Sequence, residues 1–171
     1  MDAELESRLR VVADQQEIHD VVIRYCRGVD RRDPDLIVGA FHEDGTADLG
    51  QGLASPADLA RNIAQSTVPR PYTHFVGNQL IEVDGDQALA ETYFISYQQR
   101  EHEGRHFTRT RAGRYVDRMQ RREGRWRIAH RTVVDDWNRV DEVKETIAEV
   151  SLRGGFAPDD PVYRALAGIP S

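Results

Sequence analysis

The sequence predicts an α+β domain in which a curved, antiparallel-rich sheet wraps around a pocket closed by N-terminal helices. Residues 1–70 carry helical periodicity, and residues 71–138 carry four stretches rich in Val, Ile, Tyr, Phe, Trp and Thr. Three glycine-containing turns, Asp84-Gly85-Asp86, His102-Glu103-Gly104 and Arg122-Glu123-Gly124, separate those stretches. Helices followed by a strand meander differ from the βαβ alternation of a doubly wound sheet. Strands of this length curl, and helices laid on the concave face leave an inner pocket.

In chain order, Asp14 and Glu17 form a capping-box signal before Ile18, Val21, Val22 and Tyr25, so the first helix is expected to run to about Cys26. Gly28 and the charged run before Pro34 weaken it beyond that point. Asp33-Pro34 starts a short second helix that turns Leu36, Ile37 and Ala40 inward. Phe41-His42-Glu43-Asp44-Gly45 reads as a turn. Ser55-Pro56 with Asp58 opens a third helix through Leu59 and Ile63 to about Gln65. The four strands are expected at about 71–83, 87–100, 105–120 and 125–138. The barrel is assigned to residues 1–140, and residues 141–171 form a tail that packs on it or on a neighbouring subunit.

At 171 residues, 39% hydrophobic and 30% charged, the chain has the length for one domain with a sizeable core. The net charge of -6 argues against a generally basic nucleic-acid surface. No apolar run reaches the roughly 18 residues of a membrane span, and the charged N-terminus is unlike a secretory signal. The single cysteine, Cys26, precludes an internal disulfide or a multi-cysteine zinc site. A cytoplasmic protein is therefore expected, with no metal.

Four side chains carry candidate chemistry. His74 lies near the start of the first long strand, with Val76 and Leu80 on its face by the period of two. It reads either as a core histidine or as a general base whose second nitrogen is held by a carboxylate. Asp30, at the expected end of the first helix, is the candidate carboxylate or else a solvated turn charge. Tyr25 and Asp30 are about 140° apart on a helix, so they would share a site only across a break, which Gly28 permits. Tyr25 is a core aromatic or a hydrogen-bond donor to a departing oxygen. Arg131 shares the parity of Arg125 and Arg127, opposite to Trp126 and Ile128. Simple alternation sends it outward unless a bulge or a partner chain intervenes.

Taken in order, several segments resemble the SnoaL-like family of the cone-shaped superfamily named for nuclear transport factor two. They are Arg24-Tyr25-Cys26-Arg27-Gly28-Val29-Asp30-Arg31-Arg32-Asp33, Phe41 to Gly45, Thr73-His74-Phe75-Val76-Gly77-Asn78, Gly113-Arg114-Tyr115-Val116-Asp117 and Gly124 to Ile128 with Arg131. Enzymes of that family include bile-acid 7α-dehydratase, scytalone dehydratase, hexachlorocyclohexane dehydrochlorinase and lyases of diaryl compounds. The resemblance implies a cofactor-independent lyase acting on a hydrophobic ring-bearing alcohol or aromatic. It implies His74 as base, Asp30 as its orienter, and Tyr25 and Arg131 as stabilisers of developing charge. It also implies a homo-oligomer, with a trimer favoured. Tyr97, Phe41, Phe94 and Asn78 are the expected substrate contacts; Leu36, Phe75 and Trp137 are further candidates for the lining. Two other classes remain open at this point: a non-catalytic carrier of a small apolar ligand, and an assembly subunit of a ring-hydroxylating dioxygenase.

Overall fold

The computed structural model describes residues 2–50, 52–68, 70–143 and 151–167. Helix α1 spans Ala3–Arg31, α2 Pro34–Gly39 and α3 Pro56–Ala64. Strands β1 (Phe41–Asp48) and β2 (Leu53–Ala54) lie among these helices. Four long strands follow, β3 (Thr73–Asp84), β4 (Gln87–His102), β5 (Arg105–Arg122) and β6 (Arg125–Glu142), and then α4 (Pro161–Ala167). The sheet has the order β2-β1-β6-β5-β4-β3, antiparallel except for the β1–β6 pair. The predicted α+β class, with helices closing a curved sheet, is the fold observed.

Local boundaries differ where tertiary contacts outweigh local signals. Helix α1 begins at Ala3, with Asp2 as its cap, so Asp14 and Glu17 are mid-helix. They serve Trp126 instead: Asp14 accepts its indole N–H at 2.8 Å and Glu17 accepts its backbone N–H at 2.9 Å. Gly28 does not break the helix. A Cβ there would stand 2.9 Å from Ile37 Cγ1, so the glycine lets α1 and α2 approach. The helix stops at Arg32, whose φ of 52° is left-handed, and Asp33 caps α2 through the backbone N–H groups of Asp35 and Leu36. Phe41 to Gly45, expected as a turn, is the bulged start of β1. Its register against β6 shifts between Phe41 and Thr46, and a parallel edge partner in β6 draws the segment into the sheet.

Ile18, Val22, Ile37, Phe41, Trp126 and Ile128 are almost wholly buried between the helices and the sheet. Two bulges decide which residues join them. One, between Val76 and Gln79 in β3, reverses the parity of the strand, so Gln79, Ile81 and Val83 turn inward. Leu80, expected on the face of His74, is 62% exposed as a result. The other lies in β6 between Ile128 and His130, opposite Met119 and Arg118, and it carries Arg131 into the interior.

After β6 the chain returns to the end of α1. The Ala157 N–H donates to the Arg31 carbonyl, Asp160 faces the Arg31 guanidinium at 3.3 Å, and the Tyr163 hydroxyl donates to Asp33 at 2.7 Å. Residues 144–150 and 168–171 of the expected tail lie outside the described residues.

Candidate active site

Helix α1 and strand β3 meet at Asp30 and His74. One carboxylate oxygen of Asp30 lies 2.5 Å from His74 Nδ1, and the other accepts the backbone N–H of His74 at 3.0 Å. The carboxylate thus fixes both the ring and the strand that carries it, and both side chains are largely buried, at 9% and 13% exposure. With the Nδ1 proton donated to Asp30, the lone pair resides on Nε2, which has no partner among the described residues. That tautomer can accept a proton, and Asp30 then stabilises the imidazolium.

His74 forms part of the wall of a cavity of about 420 Å³ between the sheet and the helices. Tyr25 and Val29 of α1, Leu59 and Ile63 of α3, and Phe94 and Tyr115 of the sheet line the same space. Phe94 stacks on Tyr115 with centroids 4.5 Å apart, and Tyr115 meets Tyr25 edge to face at 5.9 Å. Asp30 does not line this cavity. It reaches His74 from behind, where a smaller space of about 280 Å³ is bordered by Cys26, Arg27 and Asp160. The angular separation of Tyr25 and Asp30 therefore needs no helix break, because His74 sits between a carboxylate on one side and the cavity on the other.

Burial raises the pKa of Tyr25 and raises that of Tyr115 well above the ordinary tyrosine value, although the nearby Arg131 charge opposes both shifts. Both hydroxyls stay protonated near neutral pH and can donate to an oxygen. Arg131 is fully buried beneath them, its guanidinium carbon 4.1 Å from each ring centroid. It donates to both oxygens of Asp117, at 2.7 and 2.6 Å, while its third nitrogen, Nη1, has no hydrogen-bond partner. Burial favours the neutral form of Arg131, but the Asp117 charge and hydrogen bonds outweigh it and hold the guanidinium above its ordinary value. The outward placement that simple alternation gives Arg131 is thus reversed by the β6 bulge. Arg131 nevertheless lies under the cavity floor, not in its wall.

Of the expected substrate contacts, Phe94 lines the cavity, and Tyr97 borders it while remaining 42% exposed. Phe41 does not reach it. It is core, packed edge to face on Tyr25 at 5.9 Å, because the β1 bulge draws it under the helix. Asn78 is exposed in the β3 bulge, away from the cavity. Phe75 and Trp137 lie outside, at 67% and 51% exposure, and Leu36 lines a different groove beside Trp126.

The cavity also contains Tyr115, Arg109, Arg111 and Asp135, none of which the sequence singled out as a site residue. Arg109, Arg111, Gly113, Tyr115 and Asp117 share one parity in β5, so Tyr115 marked the inner face. Arginines within a strand ordinarily face solvent, and that hid two of them. Among the described residues no group of three His, Cys, Asp or Glu side chains could hold a metal ion, and no helix is long and apolar enough to cross a membrane.

The fold is shared with several solved structures. Hexachlorocyclohexane dehydrochlorinase LinA-type3 from Novosphingobium barchaimii is 17% identical at a TM-score of 0.72, covering 82% of this chain and 99% of that one. A candidate aromatic ring hydroxylase from Novosphingobium aromaticivorans is 24% identical at a TM-score of 0.64, with coverage of 77% and 94%. A candidate scytalone dehydratase from the same organism is 16% identical at 0.65, with coverage of 83% and 97%. At these identities the likeness speaks to the fold. No curated protein matches the chain in sequence. The profile of the SnoaL-like domain matches residues 10–132, and the chain belongs to that family.

Proposed function

We propose that the protein is a cofactor-independent lyase that removes a proton from a hydrophobic, ring-bearing alcohol or related aromatic. The observation that carries this reading is the His74–Asp30 pair, joined at 2.5 Å, with its ring in the wall of an aromatic-lined cavity. His74 Nε2 takes the proton, and Asp30 holds the tautomer and offsets the imidazolium charge. The Tyr25 hydroxyl, neutral and buried, donates to the oxygen on which charge develops or which departs. Tyr115 offers a second donor, and Arg131 adds positive potential from below the floor through the Tyr25 and Tyr115 faces. Phe94 and Tyr97 provide apolar contact for the ring.

A dehydrochlorinase and a candidate scytalone dehydratase on the same fold support an elimination of this kind. The family domain is assigned to residues 1–140, with residues 141–171 as a tail; the contacts of Ala157, Asp160 and Tyr163 with the end of α1 support its packing on the barrel. Exposed Phe75, Tyr93 and Trp137 on the outer sheet face support a homo-oligomer, a trimer by the family resemblance.

The test is conversion of a panel of arylalkanols and aryl-1,3-diols by the purified protein, read by mass spectrometry with His74→Ala beside it. Product from the native protein and its loss in the variant are expected. Tight binding with no product from any panel member would instead favour a ligand carrier.

A further inference from the structure

Across the sheet, His74 pairs with Ser96, and Ser96 pairs with Arg111, so the three lie in one row. Two inter-strand spacings separate His74 from Arg111, about 9.5 Å. Arg109 lies two residues further along β5, roughly 7 Å, beside Gln98 of β4. Arg109, Arg111 and Gln98 all line the cavity that contains His74.

The charges at this end do not balance. Arg111 is taken by Asp135, at 2.5 Å from Nη2 and 3.1 Å from Nε. Nearby carboxylates have partners of their own: Asp141 accepts from Arg139 at 2.7 Å, Asp136 faces Arg114 at 3.5 Å, and Glu142 is held by Arg105. Beyond its ladder pairing with Gln98 and Val140, no hydrogen bond or ion pair joins the Arg109 guanidinium to another described residue. The side-chain carbonyl of Gln98 is occupied by Arg100, at 2.9 and 2.7 Å, which leaves its amide N–H groups as donors. A half-buried guanidinium and a free amide therefore stand together at one end of the aromatic-lined cavity, away from His74. Burial and the charges of Arg111 and Arg100 disfavour the protonated form of Arg109; Asp135, already paired with Arg111, offsets this only in part, and a bound anion would relieve the rest.

We infer that the substrate is an aromatic carboxylate whose acid group is held by Arg109 and Gln98 while its reacting carbon lies at His74. This rests on the lyase reading for the reacting end only. The anion subsite is a binding property that can be measured without turnover. The separation between the two ends suits a molecule with one or two rings between its carboxylate and its reactive carbon.

The experiment is calorimetric titration with biphenyl-4-carboxylate and with its neutral counterpart biphenyl-4-methanol. The native protein should bind the carboxylate tighter by about tenfold or more, the size of a charge-assisted hydrogen bond. Arg109→Gln should abolish that preference and leave alcohol binding unchanged, Arg109→Lys should keep part of it, and Arg118→Gln on the outer face should keep all of it. Equal affinity for the two probes in the native protein overturns the inference, as does no binding of the carboxylate, or a preference that survives in folded Arg109→Gln. The same titration on His74→Ala separates the two proposals: the charge preference should persist there, whether or not His74 is the base.

Discussion

Replacing Asp117 with Asn should destabilise the protein by about 3–5 kcal/mol, the cost of leaving a buried charge without its partner. Asp117 and Arg131 are both wholly buried and joined by two hydrogen bonds of 2.7 and 2.6 Å. The Asn side chain can accept only one of these, so a guanidinium already lacking a partner at Nη1 loses most of its compensation. Tyrosine faces 4.1 Å away on two sides leave little room for water to take its place. Domains are stable by only about 5–15 kcal/mol, so the loss is a large fraction of the total. For a chain of this size it corresponds to roughly 6–20 °C in Tm. Urea unfolding followed by circular dichroism measures it. The double replacement Asp117→Leu with Arg131→Met removes both charges and should be less damaging than either single change. A single Asp117→Asn loss below about 1 kcal/mol would refute the reasoning, because the pair would then contribute no more than a surface salt bridge.

Acid should loosen the C-terminal segment before the barrel. The N–H groups of Gly155 and Val162 bond the Asp160 carboxylate at 2.9 and 3.1 Å and, with the charge of Arg31, hold its pKa below the ordinary value. Its contribution is therefore complete above the unfolded pKa of about 3.9 and is lost as pH falls through the lower folded value. Hydrogen exchange should show residues 151–167 losing protection in that window, and Asp160→Asn should weaken their protection already at neutral pH. Equal protection in both proteins would count against this anchor. Cys26 should resist iodoacetamide at pH 8 in the folded protein and react on unfolding, since burial pushes its thiol up to about 12. Alkylation of the native protein at the rate of a free thiol would contradict that burial.

The sheet was legible because its signals are local. Glu103-Gly104 and Glu123-Gly124 both adopt positive φ, the conformation of a two-residue hairpin turn, so the β4–β5 and β5–β6 connections fall where the sequence places them. Ser55 and Asp33 cap their helices through contacts within three residues. Strand β1 was hidden because its long pairing partner, β6, is more than eighty residues away and β2 adds only two residues. Parity arguments failed at Leu80 and Arg131 for a shared reason. A bulge adds one residue to a strand without a strong sequence mark, and every later side chain changes face. Gly113 marks the other irregular point of the β5–β6 pair, where a Cβ would meet the Val134 carbonyl at 2.1 Å. The residues alone offer His74 and Asp30 either as a base with its carboxylate or as a core histidine and a turn charge, and the family resemblance favours the pair. Arg109 was missed because an arginine within a strand looks the same in sequence whether it faces solvent or a cavity.

Chemical rescue tests most directly whether His74 is the base. Single-turnover rates on the best substrate of the panel should fall by about 10²–10⁴ in His74→Ala. The cavity of about 420 Å³ has room for a small base, so added imidazole should return part of that loss. A folded His74→Ala protein that turns over at the native rate would contradict the account.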